Sequence, residues 1–122
     1  MKRKDTKIYK RTVLEYCTAY EAFNIYNKEI EEGKAKIKKA EDKFKELNNI
    51  DPDIETWYNF YISMITSSLS IKQRWAKEAH ERCNKAKDIL IKEYEETDLE
   101  SLYLETIGKS FENIMQTDSF VN

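Results

Sequence analysis

Bulky apolar residues recur at every seventh position through the first third of the chain. The repeating positions are Tyr9, Tyr16, Phe23, Ile30, Ile37 and Phe44. A constant seven-residue spacing without a change of phase is typical of one face of a long, slightly supercoiled α-helix. A second column lies beside it, made of Val13, Tyr20, Tyr26, Gly33, Ala40 and Leu47. Together the two columns predict an apolar seam that requires a partner helix.

We expect the first helix to span about residues 6–48. Asp5 or Thr6 can cap its first backbone N–H groups, and Asn48 tolerates the left-handed conformation found at helix ends. Gly33 permits an alternative with a turn inside this segment, because a glycine within a helix costs about 1 kcal/mol relative to alanine. The apolar column passes Gly33 without a phase shift, which favours one continuous helix.

A second helix is predicted over about residues 52–96. Asp51 is a good N-cap residue, and Pro52 suits the first helical position because its missing N–H is not needed there. Its apolar stripe consists of Ile54, Tyr58, Tyr61 or Ile62, Ile65, Leu69, Ala76, Ala79, Cys83, Ala86 and Leu90. Residues 66–70 are weak helix formers, and we expect a kink there at most because the stripe continues beyond them.

Thr97 and Glu100 form a capping box that predicts a third helix over about residues 98–116. A short connection around Ile50 between two long helices forces an antiparallel hairpin. Contacting residues then have numbers that sum to about 101, which places Tyr26 against Trp75, Gly33 against Ser68 and Cys17 near Cys83. The predicted fold class is therefore all-α, a long antiparallel hairpin with a shorter third helix in a coiled-coil-like bundle, forming one domain over 1–122.

Charge supports the same alignment of the helices. Residues 1–12 carry six basic side chains and one acidic one, whereas residues 93–118 carry eight acidic side chains and one basic one. The antiparallel hairpin brings these two segments together. Each surface ion pair contributes only about 0–1 kcal/mol, but the pattern favours an antiparallel over a parallel arrangement.

The composition supports a helical protein and excludes several other classes. Charged residues make up 36% of the chain, and it has only two glycines and one proline. An all-β fold needs many turn residues, so this composition excludes it. No apolar run is long enough for a membrane helix, and no apolar segment of a signal peptide follows the basic N-terminus. We therefore expect a cytoplasmic protein with no membrane association and with reduced cysteines.

The residues that can carry chemistry are few. Cys17, His80 and Cys83 are the soft metal ligands, and Glu21 can be pictured as a fourth ligand for zinc. A zinc site is normally indicated by a paired Cys-x-x-Cys spacing, and this chain has none. We therefore expect that both cysteines are buried structural residues and that no metal is bound. Phosphate-binding loops and nucleophile motifs are also missing. We therefore expect no catalytic residues, no cofactor, no small-molecule ligand and no enzymatic activity.

An aromatic cluster at the start of the second helix is the best candidate for a protein-binding site. It consists of Ile50, Ile54, Trp57, Tyr58, Phe60 and Tyr61. Consecutive helical residues are about 100° apart, so these side chains cannot all face one partner helix. Tyrosine and tryptophan dominate binding hot spots. The alternative is that this end of the hairpin packs on the third helix, or on itself through a bend at Gly33.

A basic strip in the second helix is the candidate for nucleic-acid binding. It consists of Lys72, Arg74, Lys77, Arg82 and Lys85. Clustered lysine and arginine can contact phosphates. The alternative is a solvated helix face, which the net charge of −2 favours.

One segment resembles a known family. Residues 14–23, with the sequence LEYCTAYEAF, and residues 30–33, with the sequence IEEG, are similar to one helix of phage terminase small subunits. In that family the corresponding helix belongs to an oligomerisation hairpin. The resemblance implies a ring-forming, DNA-recognising packaging component of phage or mobile-element origin, without enzymatic activity.

Two functional hypotheses follow. The first is a non-enzymatic all-helical interaction or oligomerising module encoded by a phage or mobile element. Such a module would be an inhibitor, an adaptor or an assembly subunit that acts on a protein partner or on copies of itself. The alternative is a DNA-recognising oligomeric packaging component similar to the terminase small subunit.

Overall fold

The computed structural model describes residues 2–108, which form three α-helices. Helix α1 spans Lys7–Lys45, α2 spans Pro52–Tyr94 and α3 spans Leu99–Ile107. The predicted all-α fold is confirmed: α1 and α2 pack together as an antiparallel hairpin, and α3 is short. The part of the predicted third helix from 109 to 116 lies outside the described residues.

The ends of α1 and α2 follow from local hydrogen bonds. After Lys45, the backbone N–H groups of Glu46 and Leu47 each bond a carbonyl three residues earlier, at 3.2 Å, which tightens the last turn. The Asp51 side chain accepts a hydrogen bond from the Asp53 N–H at 2.8 Å, which confirms Asp51 as the N-cap of α2. Helix α1 is continuous through Gly33, and α2 is continuous through residues 66–70.

The cap of α3 differs from the predicted one. Asp98, and not Thr97, is the N-cap, because its carboxylate accepts hydrogen bonds from the Ser101 N–H at 3.1 Å and from the Ser101 hydroxyl at 2.7 Å. The Ser101 interactions lower the pKa of Asp98. Since Asp98 and Ser101 have the same spacing as Thr97 and Glu100, the two possible caps differ by one residue in the sequence.

A left-handed residue separates α2 from α3. Glu95 has φ of 54°, a conformation that is common for glycine but that L-residues other than asparagine and aspartate rarely adopt. It allows the Glu96 N–H to turn back and donate to the Leu90 carbonyl at 3.0 Å. The chain therefore ends α2 at a cost in backbone strain.

Replacing Glu95 with glycine should stabilise the protein by about 1 kcal/mol, because glycine adopts this φ without steric cost. Thermal or urea unfolding followed by circular dichroism measures the change. Glu95→Ala is the matched control, since it removes the same carboxylate but keeps the left-handed strain. If the alanine variant gains as much as the glycine variant, the gain comes from charge and not from the backbone.

The chain divides into two compact units. Unit 1 comprises the described residues of 1–22 and 78–122, and unit 2 comprises residues 23–77. In unit 1, α3 lies on the pair formed by α1 and α2. Its core contains Val13, Tyr16, Cys17, Ala19, Cys83, Ala86, Leu90 and Tyr94, against which Leu99, Leu102 and Tyr103 of α3 pack. Cys17 and Cys83 belong to this core as free thiols, as the hairpin alignment predicts.

The N-terminal segment is tied to the end of α2 within unit 1. The Lys2 N–H donates to the Glu93 carbonyl at 2.9 Å, and the Lys2 ammonium pairs with the Glu93 carboxylate. Lys4 and the Tyr9 hydroxyl both bind Glu96, at 2.5 and 3.0 Å. These contacts confirm the prediction that the basic N-terminal segment contacts acidic residues at the start of the segment 93–118.

Ionisation of the Tyr9 hydroxyl makes the stability of the folded protein depend on pH in the alkaline range. Burial, and then the hydrogen bond to Glu96, raise the pKa of Tyr9 well above its usual value of 10.0. The protonated hydroxyl therefore contributes stability that is fully present below about pH 10 and is lost as the pH rises towards the folded-state pKa.

We expect Tyr9→Phe to lower the free energy of unfolding by about 1–2 kcal/mol at neutral pH, through loss of the bond to Glu96. Urea unfolding at a series of pH values should show that the gap between variant and wild type narrows above pH 10. Burial also raises the pKa of Tyr16, Cys17 and Cys83, but these groups are present in both proteins and cancel in the difference. A gap that stays constant or widens above pH 10 would contradict this assignment.

Unit 2 follows the predicted alignment of the two helices. Phe44 stacks on Tyr58 with ring centroids 4.0 Å apart, and Tyr26 lies 5.7 Å from Trp75. Its core is small: Ile30, Leu69 and Ala76 are buried, with Phe23, Tyr26, Ile37 and Ile65 packed against them. One predicted pair is corrected, because the side chain over Gly33 is Leu69 and not Ser68.

Candidate functional site

A shallow apolar groove lies between α1 and α2 in unit 2, close to the loop that joins them. Its volume is about 530 Å³, and its lining residues are Ala40, Lys43, Phe44, Leu47, Ile54, Trp57, Tyr58 and Tyr61. Lys43 contributes the one charged side chain among these residues. The groove therefore offers an apolar surface to another molecule.

The structure separates the predicted aromatic cluster into two sets. Trp57 is 71% exposed and Phe60 is 60% exposed, and the two rings contact edge to face at 6.2 Å. Ile50, Ile54 and Tyr61 are also exposed. Tyr58 is different, since it is half-buried against Phe44 and so belongs to the α1–α2 contact.

The exposed set continues along α2 beyond the predicted cluster. The large side chains Met64, Ile71 and Trp75 are exposed as well. With spacings of alternately three and four residues, one face carries Ile54, Trp57, Tyr61, Met64, Ser68, Ile71 and Trp75, with Phe60 beside it. We call these eight residues the outer stripe. The spacing is that of a helix seam, so the periodicity of the sequence itself indicates Met64, Ile71 and Trp75, which the predicted cluster did not include.

A second stripe on α2 carries the contact with α1. It consists of Tyr58, Ile62, Ile65, Leu69 and Ala76, all buried or half-buried. The sequence predicts Ile54 in this inner stripe, but the structure leaves it exposed on the outer one. The sequence leaves open whether Tyr61 or Ile62 belongs to the inner stripe. In the structure Ile62 is half-buried and Tyr61 is exposed, so Ile62 belongs to the inner stripe and Tyr61 to the outer stripe.

The segment that carries the outer stripe has no charge. Residues 56–71 contain no Asp, Glu, Lys, Arg or His, although 36% of the chain is charged. The helix face away from both stripes is exposed and carries small polar side chains, namely Thr56, Asn59, Ser63, Thr66, Ser67 and Ser70. An exposed helix normally carries charged residues on its solvent face, so this segment is unusual for a surface in contact with water.

The two units differ in how their apolar faces are covered. In unit 1, α3 packs on the α1–α2 pair, and Tyr103 contacts Tyr20 at a centroid distance of 4.6 Å. Unit 2 consists of segments of α1 and α2 with the loop between them. A pair of helices can bury only the faces that meet, so the members of the outer stripe stay exposed within unit 2, apart from the contact of Trp75 with Tyr26 of α1 at its end and the half-buried Ser68.

The predicted basic strip is partly engaged with acidic residues of α1. The Lys72 ammonium lies 3.2 Å from the Glu29 carboxylate within unit 2. The Arg82 guanidinium lies 3.1 Å from the Glu15 carboxylate within unit 1. Arg74, Lys77 and Lys85 are exposed. In unit 1 a groove is lined by Arg82 and Lys85 together with Arg11 of α1, and Glu15 is its acidic member.

Metal binding has no support among the residues that the structure describes. No group of three or more His, Cys, Asp or Glu side chains is arranged to hold a metal ion there. Cys17 and Cys83 are buried in the core of unit 1, and burial raises the pKa of both thiols. His80 is exposed and lies 3.1 Å from the Asn84 amide nitrogen.

Membrane spanning can also be assessed for the described part of the chain. None of its helices combines the length and the apolar character needed to cross a bilayer.

Comparison of the chain with protein-family models, with curated proteins and with solved structures gave no match.

Proposed function

We propose that this protein is a non-enzymatic helical interaction module that binds a protein partner, or further copies of itself, through the outer stripe of α2. The observation that carries the proposal is the combination of exposed Trp57, Phe60 and Met64 with an uncharged segment around them. Water-exposed side chains of this size are a cost to the isolated chain. Their burial by a partner contributes about 25 cal/mol for each Å² of apolar surface.

The geometry suits the docking of a helix. The outer stripe has the three-and-four spacing with which one helix packs on another, and the groove beside it is lined by both α1 and α2. An amphipathic helix laid in such a groove is a common mode of protein recognition. Trp57 and Phe60 resemble hot-spot residues, which are enriched in large aromatic side chains. An inhibitor, an adaptor or an assembly subunit would each act in this way.

A photo-reactive phenylalanine analogue in place of Trp57 tests the proposal in cells of the source organism. We expect discrete covalent adducts from this position, because the side chain would lie against the partner. Ser63 is the matched control position, since it is exposed on the same helix but lies off the outer stripe. Equal adduct yields at the two positions, or no adduct at Trp57, would contradict the proposal.

Binding of DNA is the second candidate, and the groove with Arg11, Arg82 and Lys85 is the observation in its favour. It would agree with the resemblance of residues 14–33 to terminase small subunits. Charge reversal at Arg82 and Lys85 should then abolish DNA binding, and the affinity of the wild type should fall steeply with salt. Salt-independent or undetectable binding would eliminate this candidate.

A further inference from the structure

We infer that the outer stripe is covered by the outer stripe of a second copy of this chain, with the two α2 helices antiparallel and the two-fold axis near Met64. The inference rests on the proposed function and names the partner for the same surface. Three observations on the described residues carry it: the size of the surface, the distribution of charge along it, and the distribution of side-chain volume.

The area of the outer stripe matches what a dimer needs. With roughly 150–250 Å² for each aromatic side chain, the exposed fractions of Trp57, Phe60, Tyr61 and Trp75 amount to about 400 Å² per copy, and Ile54, Met64 and Ile71 add to this area. A stable interface buries about 800 Å² per partner, and the largest apolar patch on a typical monomer is about 300–600 Å². The helix neighbours of the stripe add the remaining area.

Charge at the two ends of the stripe is opposite in sign. Asp51, Asp53 and Glu55 precede the uncharged segment, whereas Lys72, Arg74 and Lys77 follow it. An antiparallel pair places the acidic end of one copy beside the basic end of the other, twice in the dimer. A parallel pair would place like charges together at both ends, which is unfavourable. The charges therefore select the antiparallel arrangement.

Side-chain volume is also distributed unevenly along the stripe. The first half carries Ile54, Trp57, Phe60 and Tyr61, whereas the second half carries the small Ser68 together with Ile71 and Trp75. With the axis at Met64, Phe60 of one copy faces Ser68 of the other, and Trp57 faces Ile71. The largest side chains then do not face their own copies, and Phe60 packs against a small residue, which suits close packing of helices. A parallel pair would place the large aromatic residues against each other.

Sedimentation equilibrium of the purified full chain, from low micromolar to submillimolar concentration, tests the inference. We expect a reversible dimer. Met64→Glu places two carboxylates at the axis and should weaken the dimer by about 100-fold or more. Ser63→Glu adds the same charge off the stripe and should leave the dissociation constant unchanged within about twofold. Circular dichroism checks that both variants stay helical, as expected for two exposed positions.

A charge swap tests the orientation. Asp53→Arg and Arg74→Asp should each weaken the dimer, and the variant that carries both changes should recover most of the loss. The two positions lie too far apart on α2 to contact each other within one copy, so recovery reports contact between copies. Failure of the double variant to recover would overturn the antiparallel arrangement.

If something other than a second copy covers the outer stripe, these experiments give different results. A wild type that stays monomeric at every concentration overturns the inference of a second copy. If the photo-reactive group at Trp57 then captures another protein, the proposed function stands with a different partner. If it instead links to residues 109–122 of the same chain, that segment covers the stripe, and both the inference and the proposed function fail.

Discussion

Replacing Leu90 with alanine is expected to lower the free energy of unfolding by about 2–5 kcal/mol. Leu90 is 0% exposed and belongs to the core of unit 1 together with Val13 and Tyr94. Truncation to alanine removes buried methyl groups and leaves a cavity, because α1 and α3 both contribute to the packing around this core. The total stability of a domain of this size is about 5–15 kcal/mol, so the loss is a large fraction of it.

Ile91→Ala is the matched control for this prediction. Ile91 is the next residue on α2 but is 42% exposed, so its truncation should cost less than about 1 kcal/mol. Urea unfolding followed by far-ultraviolet circular dichroism measures both variants. Similar losses for Leu90→Ala and Ile91→Ala would contradict the placement of α2 in unit 1.

Gly33→Ala is expected to destabilise the protein by about 1 kcal/mol, although alanine is the better helix former. A Cβ atom at this position would lie 2.5 Å from Cδ2 and 3.2 Å from Cγ of Leu69. Leu69 is itself buried with Ile30 and Ala76, so it has little room to move away. Overpacking of this kind costs about 1–3 kcal/mol, which exceeds the gain of about 1 kcal/mol in helix propensity.

The same substitution should change sign when Leu69 is also truncated. In a Leu69→Ala background the obstructing atoms are gone, so Gly33→Ala should stabilise the protein by about 1 kcal/mol through helix propensity. A double-mutant cycle on these two positions, measured by urea unfolding, gives the coupling energy. Stabilisation by Gly33→Ala in the wild-type background would show that α1 and α2 do not approach closely at Leu69.

The continuity of α1 could be predicted because it depends on one strong regularity. The column from Tyr9 to Phe44 keeps its phase through Gly33, and a helix is the conformation that satisfies this spacing. The N-cap Asp51 could be predicted because its carboxylate needs only the local chain. By contrast, Thr97 and Asp98 are equally plausible caps in sequence, and the structure shows that the Asp98 carboxylate accepts the Ser101 N–H.

The outer stripe was only partly predicted because α2 carries two seams in one stretch of sequence. Apolar residues of both seams are adjacent, as with Trp57 and Tyr58 or Tyr61 and Ile62, and periodicity does not say which member faces α1. In the structure Tyr58 stacks on Phe44 of α1, and Ile62 is half-buried whereas Tyr61 is exposed. The lack of charge in residues 56–71 was available from the sequence and, taken with the spacing, indicates the second seam.

Radical footprinting of side chains tests the central claim most directly, namely that the outer stripe is a binding surface. We predict that Trp57, Phe60 and Met64 are strongly labelled in dilute purified protein and protected in the assembled form recovered from the source cells. Ile8 and Leu104, which are exposed on unit 1, serve as internal controls and should be labelled equally in both samples. Equal labelling of Trp57, Phe60 and Met64 in the two samples would contradict the account.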